Sequence, residues 1–209
     1  MTTKNLNREE YIQSIAHIKH AGSQRFAQQS LDWWDSYYSW NKFPCLCLED
    51  NGEDVCYLFF HISRNNQYLT IHNILTPFES RFQGYAKQLL TLLFNNILLQ
   101  ADIERVKMYC VSSSLQFYMR LGIDFWGVNK IGQYYTDFPM PQSDINEIKD
   151  LMHNEDLTQL SDKNLHTIYG KLQDNGTNFN EKETATFNKS LLLLKERYRF
   201  KELENLFIS

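Results

Sequence analysis

None of the four cysteines in this 209-residue chain sits in a CxxC or Cys/His spacing, so no zinc site or thioredoxin-like redox pair is written into it. Cys45, Cys47, Cys56 and Cys110 all fall in apolar, strand-like runs, which suits buried thiols in a reducing compartment. Basic charge is also short. The 21 Lys and Arg against 25 Asp and Glu leave a net charge of −4, without the basic footprint that a nucleic-acid backbone demands. Long hydrophobic runs are lacking too. The strongest, Leu89 to Leu99, is broken by Asn95-Asn96 and is well short of the ~20 residues that cross a bilayer. The opening residues, Met1 to Arg8, have no apolar signal core. A cytoplasmic protein with neither nucleic acid nor membrane as partner is expected, and the Asn175-Gly-Thr177 sequon would then go unused.

Proline is scarce, and two of the four, Pro139 and Pro141, fall together. They divide the chain into two stretches of different texture. Before them, an amphipathic helix is expected over residues 8–20, where Tyr11, Ile12, Ile15, Ala16 and Ile18 repeat with helical spacing. Gly22 is a plausible stop and Ser23 a cap for a second helix through about residue 30. An aromatic patch follows, with Trp33, Trp34, Tyr37, Tyr38 and Trp40. Strand-like runs come next at 43–48, 55–62 and 68–76, separated by turn signals at Asp50-Asn51-Gly52 and Arg64-Asn65-Asn66. A long leucine-rich helix (about 84–101), a buried strand (105–111), a short helix (113–121) stopped by Gly122, and two strands (123–128 and 133–138) complete the part. Beyond the prolines the chain turns helical, with candidates at 143–152, 161–171 and about 181–207. In the last, Phe187, Leu191, Leu194 and Tyr198 form one apolar stripe. Residues 142–209 therefore read as a small helical extension, near the lower limit of independent stability, that docks on the first part, on a second copy in a homodimer, or on another partner.

The most telling stretch is Arg81-Phe82-Gln83-Gly84-Tyr85-Ala86, between the strand ending at Thr76 and the long helix. A loop that opens a helix leaves several N–H groups without intrahelical acceptors, aimed at one spot near the positive end of the helix dipole. Gly84 permits close backbone approach, and the small Ala86 keeps the first turn clear. Such a loop suits a diphosphate.

With Arg81-x-x-Gly84-x-Ala86 before the helix, and Phe117-Tyr118-Met119-Arg120-Leu121-Gly122-Ile123 downstream, the chain resembles the GNAT superfamily of N-acetyltransferases. That family carries Gln/Arg-x-x-Gly-x-Gly/Ala between its fourth strand and a long helix, and a Phe-Tyr-Glu-Lys-x-Gly-Phe segment later. Thr70 to Pro77 resembles the strand before the loop, and the resemblance covers about residues 1–139. It implies an α/β fold: a GNAT-like mixed, mostly antiparallel central sheet flanked by helices, in a catalytic domain over residues 1–141, with the all-helical extension at 142–209.

The resemblance also implies acetyl-CoA, or another acyl-CoA, as co-substrate, and no metal. The diphosphate would lie on the amides of Phe82, Gln83, Gly84, Tyr85, Ala86 and Lys87, with Arg81 at the edge. The pantetheine arm would pair with Ile74, Leu75 and Thr76, where a bulge frees an N–H for the thioester carbonyl. Tyr118 aligns with the residue that serves the departing CoA thiolate. A tyrosine near pKa ~10 giving its proton to a thiolate near ~8.5 works uphill by about 2 kcal/mol, so hydrogen-bond donation is the favoured role.

Where many members of the family place a glutamate base, this chain has Thr70. His72, two residues on and on the same strand face, is the candidate base, directly or through a water. Deprotonating a lysine-like amine at pH 7 costs about 4.6 kcal/mol and an α-amino group about 1, so losing the glutamate favours an acceptor amine of low pKa or a water relay. The family's asparagine seven residues before the tyrosine is Val111 here. Trp33, Trp34 and Tyr37 are candidates for the acceptor side, in a patch that is half core and half pocket; the acceptor is a primary amine on a small molecule, peptide or protein. The favoured function is N-acyl transfer by direct attack in a ternary complex. The alternative, prompted by Thr70 and Val111, is a catalytically weak acyl-CoA-binding protein that works through its C-terminal helices.

Overall fold

A computed structural model describes residues 1–64, 68–98, 103–123, 127–128, 133–142 and 144–154. The helices expected at 161–171 and 181–207 lie outside these residues. The chain divides into two compact units, one of Met1–Glu104 with Ser143–Ile145, the other of Arg105–Gln142 and the chain from Asn146 on. The fold class is the expected one: α/β, with mostly antiparallel sheet strands flanked by helices.

The first unit opens with β1 (Thr2–Leu6), followed by α1 (Arg8–Ile15) and α2 (Ala21–Tyr37). Three longer strands follow, β2 (Cys45–Asp50), β3 (Glu53–Ile62) and β4 (Tyr68–Leu75), and then α3 (Tyr85–Leu98). The strands run in the order β1-β2-β3-β4, every neighbour antiparallel. Helices cover both faces, which is why β2 and β3 read as nearly continuous apolar runs. On one face Cys45, Cys47, Tyr57, Phe59 and Leu75 meet Tyr11, Ile15, Leu31 and Trp34 of α1 and α2 in a buried core. The alternate residues Leu46, Leu48, Cys56 and Leu58 turn to the other face, where α3 packs on β2 and β3 with Leu89, Leu90, Leu93 and Phe94 buried.

Local chemistry explains the boundaries. Asn7 caps α1 through a capping box: its side chain accepts from Glu9 N and Glu10 N while the Glu10 carboxylate accepts from Asn7 N. α2 begins earlier than expected because His20, not Ser23, is its N-cap, its ring Nδ1 accepting from Ser23 N at 3.1 Å. It also runs on to Tyr37, since Leu31 and Trp34 continue its buried face. β1 has no counterpart among the expected elements; it is a polar strand whose side chains are mostly exposed.

One irregularity falls at His72. β3 and β4 pair Phe59 with Asn73 but Phe60 with Ile71, so β4 carries one extra residue, His72. This is a β-bulge. It turns both His72 and Asn73 toward α2, where Asn73 Nδ2 donates to Ser30 Oγ at 3.2 Å and His72 packs on Trp33 and Trp34.

The second unit holds β5 (Arg105–Val111), α4 (Leu115–Arg120), β6 (Gly127–Val128), β7 (Gln133–Pro139) and α5 (Ile148–Asn154), with strand order β5-β7-β6, both pairs antiparallel. α5 follows a 3₁₀ turn at Ile145–Glu147, inside the stretch where a helix over 143–152 is expected. α4 stops in a Schellman motif: Ile123 N donates to Tyr118 O and Gly122 N to Met119 O. Gly122 has φ +85°, and a Cβ there would lie 2.7 Å from the Lys149 Cα of α5. Conformation and close approach both demand glycine. Arg105 and Asp137, each nearly or wholly buried, form an ion pair between β5 and β7.

Candidate functional site

The loop before α3 is held from two sides. Upstream, Phe78 N donates to Ser23 Oγ at 3.1 Å, His20 N donates to Glu79 Oε1 at 2.7 Å, and the His20 ring stacks on Phe78 at 4.6 Å. Downstream, Tyr85 Oη donates to Asp50 Oδ2 at 2.8 Å, tying the first residue of α3 to the end of β2. That hydrogen bond, ahead of desolvation, raises the Tyr85 pKa. Between these anchors Phe82 has φ +65° and Gly84 φ +81°. The first helical bond runs from Gln88 N to Gly84 O. The amides of Tyr85 and Ala86 therefore precede the helical ladder, at its N-terminal end.

Arg81, Phe82, Gln83 and Gly84 are exposed, Phe82 by 97%. A Cβ built on Gly84 meets nothing within 4 Å, so the backbone there faces open space. Arg81 Nε donates to Thr76 O at 3.3 Å, and its guanidinium lies 5.6 Å from the Phe78 ring. An exposed, anchored loop of amides at the start of a fourteen-residue helix is the arrangement that accepts an anionic group.

Ile74 and Leu75 are paired with Leu58 and Tyr57 of β3, and Thr76 lies one residue beyond the strand. Thr76 Oγ1 is 3.3 Å from Cys56 Sγ. Burial pushes the Cys56 and Cys110 thiols up to about 12, which leaves neither as a thiolate nucleophile.

On the α2 face of β4 stands a cluster around His72, the candidate base. His72 Nε2 lies 2.7 Å from His61 Nδ1 and 3.1 Å from Tyr38 Oη. The two imidazoles are nearly parallel, 19° apart, with centroids 4.9 Å apart. Trp33 packs on His72 at 4.9 Å, and burial raises the Tyr38 pKa, keeping its hydroxyl protonated. His61 and Tyr38 are not among the expected site residues. The signal for His61 is the short turn at Arg64, which makes β3 and β4 a hairpin and sets His61 opposite Thr70.

Of the expected acceptor residues, Trp33 is half-buried beside His72 and Tyr37 is 68% exposed. Trp34 is wholly buried, its indole N–H donating to Phe43 O at 2.9 Å, and so belongs to the core. Thr70 is buried, and its hydroxyl finds no partner among the described residues. Tyr118 belongs to the second unit, buried in α4 with its ring against Phe117 at 4.9 Å. Among the described residues no group of three or more His, Cys, Asp or Glu is placed to hold a metal ion, and no helix is long and apolar enough to cross a membrane.

No protein-family model matches the sequence, and no curated protein matches it either. Solved structures do match the fold. A GNAT-family acetyltransferase described as putative, from Desulfovibrio desulfuricans, superposes with a TM-score of 0.51 at 9% identity, covering 67% of this chain and 99% of its own. The aminoglycoside 6'-N-acetyltransferase of Enterococcus faecium gives 0.52 at 11% identity, over 68% and 98%. The PaiA N-acetyltransferase of Thermoplasma acidophilum, solved with coenzyme A, gives 0.50 at 14%, over 65% and 96%. Identities this low speak for architecture alone, and on that architecture the chain has the fold of the GNAT superfamily.

Proposed function

We propose that this protein is an acyl-CoA-dependent N-acyltransferase that moves an acetyl or other acyl group to a primary amine. The observation that carries the reading is the anchored loop from Arg81 to Lys87. It combines two left-handed residues, an exposed stretch from Arg81 to Gly84 just ahead of the helix, and open space over Gly84. A diphosphate needs several convergent N–H donors and room for its oxygens, and this loop offers both. Coenzyme A in the similarly folded PaiA structure supports the choice of donor.

On this reading the amides of Phe82 to Lys87 hold the diphosphate, with Arg81 beside them, and Ile74 to Thr76 receive the pantetheine arm. The amine attacks the thioester directly; the high thiol pKa values of Cys56 and Cys110 argue against a covalent cysteine step. His72 takes the amine proton, since the buried Thr70 hydroxyl is no base at pH 7. Tyr118 serves the leaving thiolate on the strength of its sequence motif alone. Trp33 and Tyr37 lie on the acceptor side. Residues 1–141 carry the activity, and residues 142–209 serve docking or a partner.

Gly84→Asn tests the donor site. Asparagine tolerates a left-handed backbone, so the fold is spared, while its side chain enters the space a diphosphate would occupy. Calorimetric titration with acetyl-CoA is expected to show binding weakened at least tenfold at an unchanged melting temperature. Unchanged affinity in a folded variant would remove the loop from the site.

A further inference from the structure

Two imidazoles in contact have four ring nitrogens and, when neutral, two protons. His61 Nδ1 and His72 Nε2 are 2.7 Å apart, a hydrogen bond that needs one proton in the link. The second proton of the neutral pair sits on an outer nitrogen, His61 Nε2 or His72 Nδ1. One further proton fills the other outer nitrogen and leaves the link intact, with the positive charge shared across it. A fourth would have to enter the link, where two N–H groups would then face each other. The contact admits one added proton and opposes a second.

We propose that His61 and His72 form one proton-accepting unit, in which His61 is a positioning residue that orients His72 and shares the charge it takes up. The proposal rests on the acyltransferase reading above. The register makes the arrangement: His61 pairs with Thr70, alternation along β4 puts His72 on that same face, and the bulge adds Asn73 to it. Among the described residues, groups that face the pair include Tyr38, Trp33 and Trp34 from α2 and its end, and Phe43 ahead of β2. Tyr38 among them is titratable, and its hydroxyl, 3.1 Å from His72 Nε2, biases where the link proton rests. In the reaction an ammonium acceptor loses two protons as its C–N bond forms and the C–S bond breaks. The pair passes one to solvent, and the other ends on the CoA sulfur.

The test combines ring-nitrogen NMR of the full-length protein with steady-state transfer from acetyl-CoA to a panel of amines. Both histidine rings of the unaltered protein are expected to respond at a single midpoint, with one proton taken up between them. His61→Leu is expected to leave His72 titrating alone, to lower kcat about 10²-fold with the KM for acetyl-CoA unchanged, and to shift the acid limb of the kcat profile. His61→Asn, whose amide reaches the position of Nδ1, is expected to recover about tenfold of that loss. Two independent one-proton titrations, or an unchanged kcat profile in a folded His61→Leu, would overturn the pairing while the acyltransferase reading stands. Linked titration with no transfer to any amine would instead overturn the acyltransferase reading, and the role of the pair with it.

Discussion

Phe82 holds the least comfortable backbone in the loop. Among the described residues only Asn51 and Phe82, glycines aside, have positive φ, and asparagine tolerates that region where phenylalanine does not. Left-handed geometry costs an ordinary side chain roughly 1–2 kcal/mol, and a ring that is 97% exposed recovers almost none of it by packing. Phe82→Asn is therefore expected to raise the unfolding free energy by about 0.5–1 kcal/mol in urea titration. A loss of stability would reveal a contact of the ring in the folded chain. The residues of this loop are legible in sequence because glycine spacing is written in single letters. His61 is not, since its place beside His72 depends on register, and register is a property of two strands.

Elements are most legible where burial imposes a period. β3, β4, β5 and α3 lie close to their expected bounds, for each alternates or repeats against a packed face. β1 is not legible, because an edge strand with one fully buried residue has no such period. It is held instead by charge: Lys4 Nζ lies 2.7 Å from Asp54 Oδ1 and 3.0 Å from Glu49 Oε2. Burial alone would raise the Asp54 carboxyl, but hydrogen bonds from Lys4 and Ser14 outweigh it and hold the pKa below the usual carboxylate range. A depressed carboxylate pKa stabilises the fold above the unfolded value of about 3.9 and loses that contribution as pH falls through the folded value. Lys4→Met is thus expected to cost under about 1 kcal/mol at pH 7, this being a partly exposed pair. The difference from the unaltered protein should shrink below about pH 4, as thermal melts across pH would record; a constant difference would assign the effect to packing.

For the molecule as a whole, the order of elements and two short motifs suffice to anticipate the superfamily fold. Gly122 shows why one of those motifs persists here: the helix stop and the backbone of α5 both exclude a side chain. The Arg105–Asp137 pair is hidden in the sequence, since neither residue stands out in its own strand. Buried charges of this kind stabilise little when paired but cost heavily when orphaned. Asp137→Ala is expected to destabilise the protein by roughly 3–5 kcal/mol in chemical denaturation, and the double replacement of Arg105 and Asp137 by Met and Leu by far less. Equal losses in both variants would show that the pair itself, not the orphaned charge, matters.

The extra residue in β4 separates scaffold from chemistry. Thr70, Asn73 and Leu75 belong to one face only because the strand changes phase at His72. Remove that single residue from the count and the alternation from Tyr68 to Leu75 becomes regular, with every other side chain still on its own side. The imidazole is thus an insertion into a ladder that closes without it, so the sheet can lose or acquire its candidate base without redesigning the core.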